Sequence, residues 1–218
     1  MVPSLNNEGY NESIDDEVAD DQPDVGSVAT GQQAIIDYFG SDMAGVDPES
    51  FVMYIDFPDF AKDKDRVFFQ GRPIEGANPS DFMPMQFEFS SDGESIFNQS
   101  RALENVDRDS FEVLQKGYGK DDFNIFYGRF ALQGVDHDSF QIIDLPTYAS
   151  LARDNTKLYV GSGVAEDVDV DSFEVVSTFY IKDKDAVFYT SSYAKIIPGA
   201  DPNSFQVFQF RDNGFYSR

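Results

Sequence analysis

The sequence predicts an all-β protein: an array of about five 29–33-residue β-meander or solenoid-like repeats with single-turn helical caps, plus a short N-terminal helix. Two interleaved series carry this reading. An Asp-rich turn feeding β-branched and aromatic residues recurs as KDKDRVFF, SDGESIFN, KDDFNIFY, RDNTKLYV, KDKDAVFY and RDNGFYSR, with aspartates at 63, 92, 121, 154, 183 and 212, spaced by 29, 29, 33, 29 and 29 residues. Between these turns a second segment recurs as VDPESF, ANPSDF, VDRDSF, VDHDSF, VDVDSF and ADPNSF. Its phenylalanines stand at 51, 82, 111, 140, 173 and 205, spaced by 31, 29, 29, 33 and 32 residues. Two series that keep nearly one period mark a chain built from one structural unit repeated.

Taken in chain order, residues 1–30 come first. They hold eight Asp and Glu side chains, no Lys or Arg, and little apolar periodicity, so they read as a solvated, flexible acidic arm. Thr30 and Gln33 have capping-box spacing ahead of AIIDYF and Gly40, which predicts a helix over Gly31–Phe39. Residues 31–44 are that helix and a linker, and 45–218 form the repeat domain. Within each repeat the Asp turn leads into a strand such as Val67–Phe69 or Ile125–Tyr127, since β-branched and aromatic residues favour a pleated, half-buried surface. A glycine turn often follows, as at Gly71, Gly128 and Gly161. A further strand follows the second segment's phenylalanine, giving two or three short strands per repeat. The array opens and closes on half-repeats, and a propeller blade usually needs about 40 residues or more, which favours an open stack.

Charge narrows the function. A formal charge of −24 and a pI near 4.1 argue against nucleic acid and against anionic membrane surfaces, both of which require cations on the protein. No run reaches the roughly 18–20 apolar residues of a spanning helix, so membrane insertion is not expected. The N-terminus lacks the pattern of a signal peptide, which reads as cytoplasmic, or as periplasmic or extracellular if such a peptide has been removed. The absence of cysteine excludes thiolate chemistry and Cys-ligated metal. There is one histidine and no GxSxG, HExxH or P-loop pattern, so an enzyme is not expected; no cofactor is expected either.

The candidate sites each have a structural explanation. Asp107, Asp109, Asp136, Asp138, Asp169 and Asp171, spaced two apart within the second segment, are candidate calcium ligands through their hard oxygen donors. The competing reading makes Asp47, Asn78, Asp107, Asp136, Asp169 and Asp201 helix N-caps. It is favoured because Asp and Asn cap well and proline follows at Pro48, Pro79 and Pro202, the position where a missing NH costs nothing. The KDKD runs read as solvated turns. His137 falls in the slot held elsewhere by Pro48, Pro79, Arg108, Val170 and Pro202, which predicts a surface side chain with no common role. The repeated aromatic residues read as a stacked core. Tyr118, Tyr148 and Tyr193, outside the two motifs, are the candidate partner-binding residues.

Lys-Asp-Lys-Asp-x-Val-Phe-Phe followed by GANPSDF, and KDKDAVFY followed by GADPNSF, resemble the bacterial DKNYY repeat family from about Gly45 onward. The SDGE and RDNT turns keep only the aspartate and the aromatic strand. The resemblance implies a repeated β architecture and a bacterial origin; it brings no activity and no active site. Together these readings point to a non-catalytic acidic protein that binds another protein, such as an inhibitor or immunity-type protein occluding a basic partner. A self-assembling structural or cell-surface protein is the second reading and a calcium-stabilised module the third.

Overall fold

The computed structural model describes residues 28–40, 45–144, 150–191 and 193–208. Most of the acidic arm, residues 41–44, Tyr148 and the sixth Asp turn at Asp212 lie outside the described residues. Within them the chain forms five antiparallel sheets, each a meander whose strands pair in sequence order. The first sheet contains Val28–Thr30, Val52–Tyr54, Phe60–Lys62, Val67–Phe69 and Arg72–Pro73, and the second Met83–Pro84, Phe89–Ser91, Ile96–Asn98 and Arg101–Ala102. The third holds Glu112–Val113, Tyr118–Lys120, Ile125–Tyr127 and Phe130–Ala131. Gln141–Ile142, Leu151–Arg153, Leu158–Val160 and Gly163–Val164 make the fourth, and Glu174–Ser177, Tyr180–Lys182, Val187–Thr190 and Ala194–Ile196 the fifth.

The predicted helix spans Gly31–Phe39 and ends on Gly40, whose φ of 73° is the left-handed region glycine enters freely. The capping box does not form. Thr30 makes no side-chain cap bond and the Gln33 amide instead donates to Asp37. The arm also ends sooner than its composition implied: Val28–Thr30 is a strand on the edge of the first sheet, Val28 standing opposite Tyr54 and Thr30 opposite Val52.

With strands counted in every sheet from the one that follows the second segment, so that Val28–Thr30 precedes the first, alternation along the third strand builds the core. Its middle residue (Phe68, Phe97, Phe126, Tyr159 or Phe188) is at most 1% exposed and faces the preceding layer, while its flanking residues face the next. Phe97 packs with Tyr54, Phe60 and Phe69 of the first sheet, and Phe126 with Phe89 and Ile96 of the second. Phe68 has no sheet before it and packs on Ala34 and Ile35, so the helix covers the first face of the stack. Each hydrophobic cluster joins neighbours in sequence, and among the described residues none joins the first sheet to the fifth. That is the arrangement of an open stack.

In four of the five sheets the phenylalanine of the second segment meets a small neighbour, the fifth having Ile181 there. Ala61, Ser90, Gly119 and Ala152 stand beside the middle aromatic residue on the second strand, paired with Phe68, Phe97, Phe126 and Tyr159. A Cβ added at Gly119 would lie 2.8 Å from Phe111 Cζ, a distance that forces one of them to move.

Candidate interaction surfaces

Each sheet's meander sends two kinds of turn to opposite ends of the stack. The Asp turn joins the second and third strands, and the second segment enters the first strand at that same end. What holds the two together is the leading aspartate. Asp63, Asp92, Asp121, Asp154 and Asp183 are between 0 and 4% exposed, so these residues are not the solvated turns that the KDKD pattern predicts. One oxygen of each accepts two NH groups of its own turn, as Asp121 Oδ1 does from Phe123 (2.8 Å) and Asn124 (2.6 Å). The other oxygen accepts the NH of the second segment's Asp or Asn: Asp63 from Asp47, Asp92 from Asn78, Asp121 from Asp107, Asp154 from Asp136 and Asp183 from Asp169. A hydroxyl adds a further tie, because Ser50, Ser110, Ser139 and Ser172 accept the NH of Lys64, Asp122, Asn155 and Lys184. In the second repeat Asp81 takes the serine's place, and the NH of Gly93 bonds Ser91 instead.

Charge-assisted bonds to backbone NH groups hold a carboxylate ionised even where burial opposes it. At Asp154 burial pulls the carboxyl upward, but donation from the Asp136 NH, the Tyr159 hydroxyl and Thr156 leaves it far below the usual carboxylate range. At Asp121 burial is likewise outweighed by the Asp107, Phe123 and Asn124 donors, and the carboxyl lies below its ordinary value.

The same end carries the links between repeats. Arg108 donates to the carbonyl of Gly93 in the preceding turn, and His137 Nε2 lies 2.8 Å from the carbonyl of Asp121. Since a carbonyl oxygen only accepts, Nε2 carries the proton. His137 therefore does share a role with Arg108, contrary to the slot's varied occupancy. Where the slot holds proline, the link runs the other way: Lys62 and Lys182 donate to the carbonyls of Pro79 and Pro202. Val170 is buried in the slot, and Arg153 stacks over Phe173 across the same junction.

With the leading aspartates buried, the outer residues of both turns face solvent. Glu49, Asp65, Asp81, Glu94, Asp109, Asp122, Asp138, Asp171 and Asp185 are exposed along this end, repeat after repeat. Its cations are largely spent on carboxylates of the same turns, in the pairs Lys64–Asp47, Arg108–Asp109 and Lys184–Asp169. The result is a rigid acidic ridge.

The opposite end differs. Here lie the turns joining first to second strands and third to fourth strands. Phe87 sits on one of them with a φ of 55°, an uncommon region for a bulky residue, and is 43% exposed. Phe130, 53% exposed, starts a fourth strand beneath the Arg129 guanidinium, which lies 4.7 Å from the ring centroid. Phe87, Tyr127, Arg129, Phe130 and Ser162 line a groove of about 280 Å³. It adjoins one of about 720 Å³ along the fourth-strand edges past Arg101 and Arg129, and another of about 320 Å³ between Phe57 and Phe87. Among the described residues Arg72, Arg101 and Arg129 have no ion-pair partner.

The candidate residues distribute unevenly over these surfaces. Tyr118 is fully buried and donates toward the carbonyls of Ser150 and Gly161, so it packs sheets together and cannot meet a partner. Burial also pushes its hydroxyl well above the usual tyrosine range. The signal for this lay in register: Phe60, Phe89 and Leu151 also stand three residues before a leading aspartate, and all are core. Tyr193 is 60% exposed at the aromatic end, and Tyr148 lies outside the described residues. Of the calcium candidates, Asp107 and Asp169 accept the NH of Asp109 and Asp171 as caps. Asp136 lacks that bond and accepts the Ser139 hydroxyl at 2.6 Å. Asp109 and Asp171 face outward, and the Asp138 side chain is fully exposed. Among the described residues no three acidic or histidine side chains gather to hold a metal ion.

A family model described as the DKNYY family matches residues 31–163 and again 153–217. No curated protein and no solved structure matches the chain.

Proposed function

The chain belongs to the DKNYY family, and from that premise we propose that it is a non-catalytic protein-binding stack whose acidic ridge engages a basic partner, as an inhibitor or immunity-type protein does. The observation that supports this is the ridge itself. Buried aspartates fix both turns of every repeat, so exposed carboxylates such as Glu94, Asp109, Asp122 and Asp138 are presented from hydrogen-bonded backbone, with Lys64, Arg108 and Lys184 already paired. Such a surface steers a cationic partner to fast encounter, and a preorganised one loses little entropy on docking.

The test is affinity capture from the source cell with the full chain and with a variant carrying Asp109→Asn, Asp122→Asn, Asp138→Asn and Asp171→Asn. These side chains are exposed, so the variant's melting temperature should match the parent's. The reading requires a basic partner whose affinity falls at least about tenfold in the variant and declines with added salt. A partner held equally by both proteins, or at any ionic strength, refutes it.

Self-association is the second reading, and one observation favours it. Phe179, Tyr189, Tyr193 and Ile196 of the fifth-sheet region are all between 40 and 60% exposed, with Phe179 and Tyr189 rings 6.1 Å apart. Sedimentation of the intact chain over a wide concentration range decides it, since a strict monomer rules it out.

A further inference from the structure

Each Asp turn exposes the residue two positions after its leading aspartate, and in every repeat that residue donates its NH to the leading carboxylate. The pairs are Asp65 to Asp63, Glu94 to Asp92, Phe123 to Asp121, Thr156 to Asp154 and Asp185 to Asp183. Four of these five occupants are polar, and the fifth is a phenylalanine. Phe123 is 74% exposed, and among the described residues it is the one large apolar side chain exposed in the Asp turns and second segments. It belongs to none of the hydrophobic clusters. The turn does not need a ring there, since Thr156 fills the same slot with the same backbone bond.

The surroundings of Phe123 are acidic on both sides. Its turn is the third of the five described, so it stands at the middle of the ridge. Asp122 donates its NH to Ser110 of the same repeat, and His137 of the next repeat reaches the Asp121 carbonyl. These bonds bring the exposed Asp109 and Asp138 alongside the turn, where they join Asp122. The basic side chains of the two flanking segments are engaged, Arg108 on Asp109 and His137 on the carbonyl. Among the described residues no Lys or Arg lies over the Phe123 ring.

Binding surfaces draw most of their affinity from a few aromatic side chains near the centre that enter a water-free pocket, while the charges around them govern approach and register. A pocket that receives Phe123 meets carboxylates around it, so its rim must be cationic. Lys and Arg on that rim can pair with the acids and lie against the ring face at once.

We propose that Phe123 is the anchor of the acidic ridge: it enters an apolar pocket of a basic protein whose Lys and Arg rim pairs with Asp109, Asp122 and Asp138. The inference rests on the ridge being the binding surface, and it adds the residue that fixes where along the ridge the partner sits.

The experiment uses the full chain and two synthetic peptides with equal numbers of lysines. One carries leucines at the i, i+3, i+4 and i+7 positions of an amphipathic helix, and the other has glutamine in their place, a residue of similar helix propensity. Fluorescence anisotropy at about 50 mM salt, where charge pairs are weakly screened, gives both affinities. The leucine peptide should bind at least about tenfold more tightly, the share expected of one apolar anchor. Phe123→Thr copies the fourth turn and should keep the parent's melting temperature, yet it should reduce the leucine peptide to the affinity of the glutamine one. Phe130→Thr, at the opposite end of the stack, should leave the preference in place.

Equal binding of the two peptides to the parent overturns the proposal. So does a preference that survives Phe123→Thr, or one that Phe130→Thr removes instead. In those cases salt-dependent binding of both peptides leaves the ridge standing without its anchor. If the variant with Asp109, Asp122, Asp138 and Asp171 replaced by Asn binds both peptides as tightly as the parent does, the ridge itself fails, and the anchor with it.

Discussion

Asp154→Ala tests the central claim of the fold, that a buried carboxylate fastens the two turns of each repeat. Asp154 is fully buried and serves five donors: the NH groups of Thr156 (2.7 Å), Lys157 (2.7 Å) and Asp136 (2.9 Å), and the hydroxyls of Thr156 (3.0 Å) and Tyr159 (2.7 Å). Thr156 is exposed and can turn its donors to water, while the Lys157, Asp136 and Tyr159 donors are less able to. At about 1 kcal/mol for each bond lost, with a further cost for donors left unmet, the replacement should remove about 3–4 kcal/mol. At about 2–4 °C per kcal/mol for a chain of this size, that is a fall of roughly 10 °C in melting temperature. Asp154→Asn should rescue little, because its amide nitrogen would confront NH donors where the carboxylate had an oxygen.

Guanidinium denaturation of the full-length variants gives the free energies, with Asp138→Ala as the control. That side chain is fully exposed and should change stability by no more than about 0.5 kcal/mol. The pH dependence supplies an independent check. The folded-state carboxyls of Asp121 and Asp154 lie below their ordinary range, so the stability they confer is present in full above the unfolded pKa near 3.9. It is lost as pH falls from about 5 toward their folded values, and Asp154→Ala should flatten that decline. If Asp154→Ala costs less than about 1 kcal/mol, or no more than Asp138→Ala, the fastening role is wrong.

Three further outcomes follow from packing. Ser90→Ala should raise stability by about 1 kcal/mol in the same assay, since the Ser90 hydroxyl is buried between the first two sheets with no hydrogen-bond partner among the described residues. Gly119→Ala should lower it by about 1–3 kcal/mol through the collision with Phe111, and Phe111→Leu in the same chain should recover part of the loss, which a double-mutant cycle will show. Tyr118→Phe should cost about 1 kcal/mol for the lost hydroxyl bonds while leaving partner affinity unchanged, whatever surface the partner uses.

Much of the fold was legible because periodicity is a strong signal when each unit covers its neighbour. The bounds of the helix followed from Gly40 and the apolar spacing, and the strand triplets from their aromatic and β-branched content. The sheets turned out richer than the two or three strands anticipated, because two-residue strands such as Arg72–Pro73 and Phe130–Ala131 leave no alternating pattern to read. Burial of the leading aspartates was hidden for a different reason. An Asp between lysines looks solvated in one dimension, and only its pairing with a backbone NH 14–18 residues earlier, as from Asp47 to Asp63 or Asp136 to Asp154, gives it a reason to be inside. Tyr118 was misread by treating motif membership as the mark of the core, when its fixed distance from Asp121 carried the information.

The two ends of the stack explain how one repeat can carry more than one surface. In each unit the buried aspartate uses its carboxylate on backbone, so the side chain that follows it is not needed to hold the turn and varies: Lys64, Asp122, Asn155 and Lys184 stand there, and Gly93, with a φ of 84°, in the second repeat. Variation is therefore cheap on the ridge. At the ridge end left-handed backbone falls almost entirely on glycine, at Gly45, Gly76, Gly93, Gly134 and Gly199 with Asn105, whereas at the other end Gln70, Phe87, Gln99 and Lys116 adopt it, which restricts what can stand there and fixes how the side chains project. A binding preference can accordingly evolve along the ridge by changing exposed charges with little effect on stability, whereas the groove at Phe87 and Phe130 changes only together with the backbone that presents it. Charge replacements on the ridge should thus alter partner choice freely, and replacements at Phe87 should alter groove and turn together.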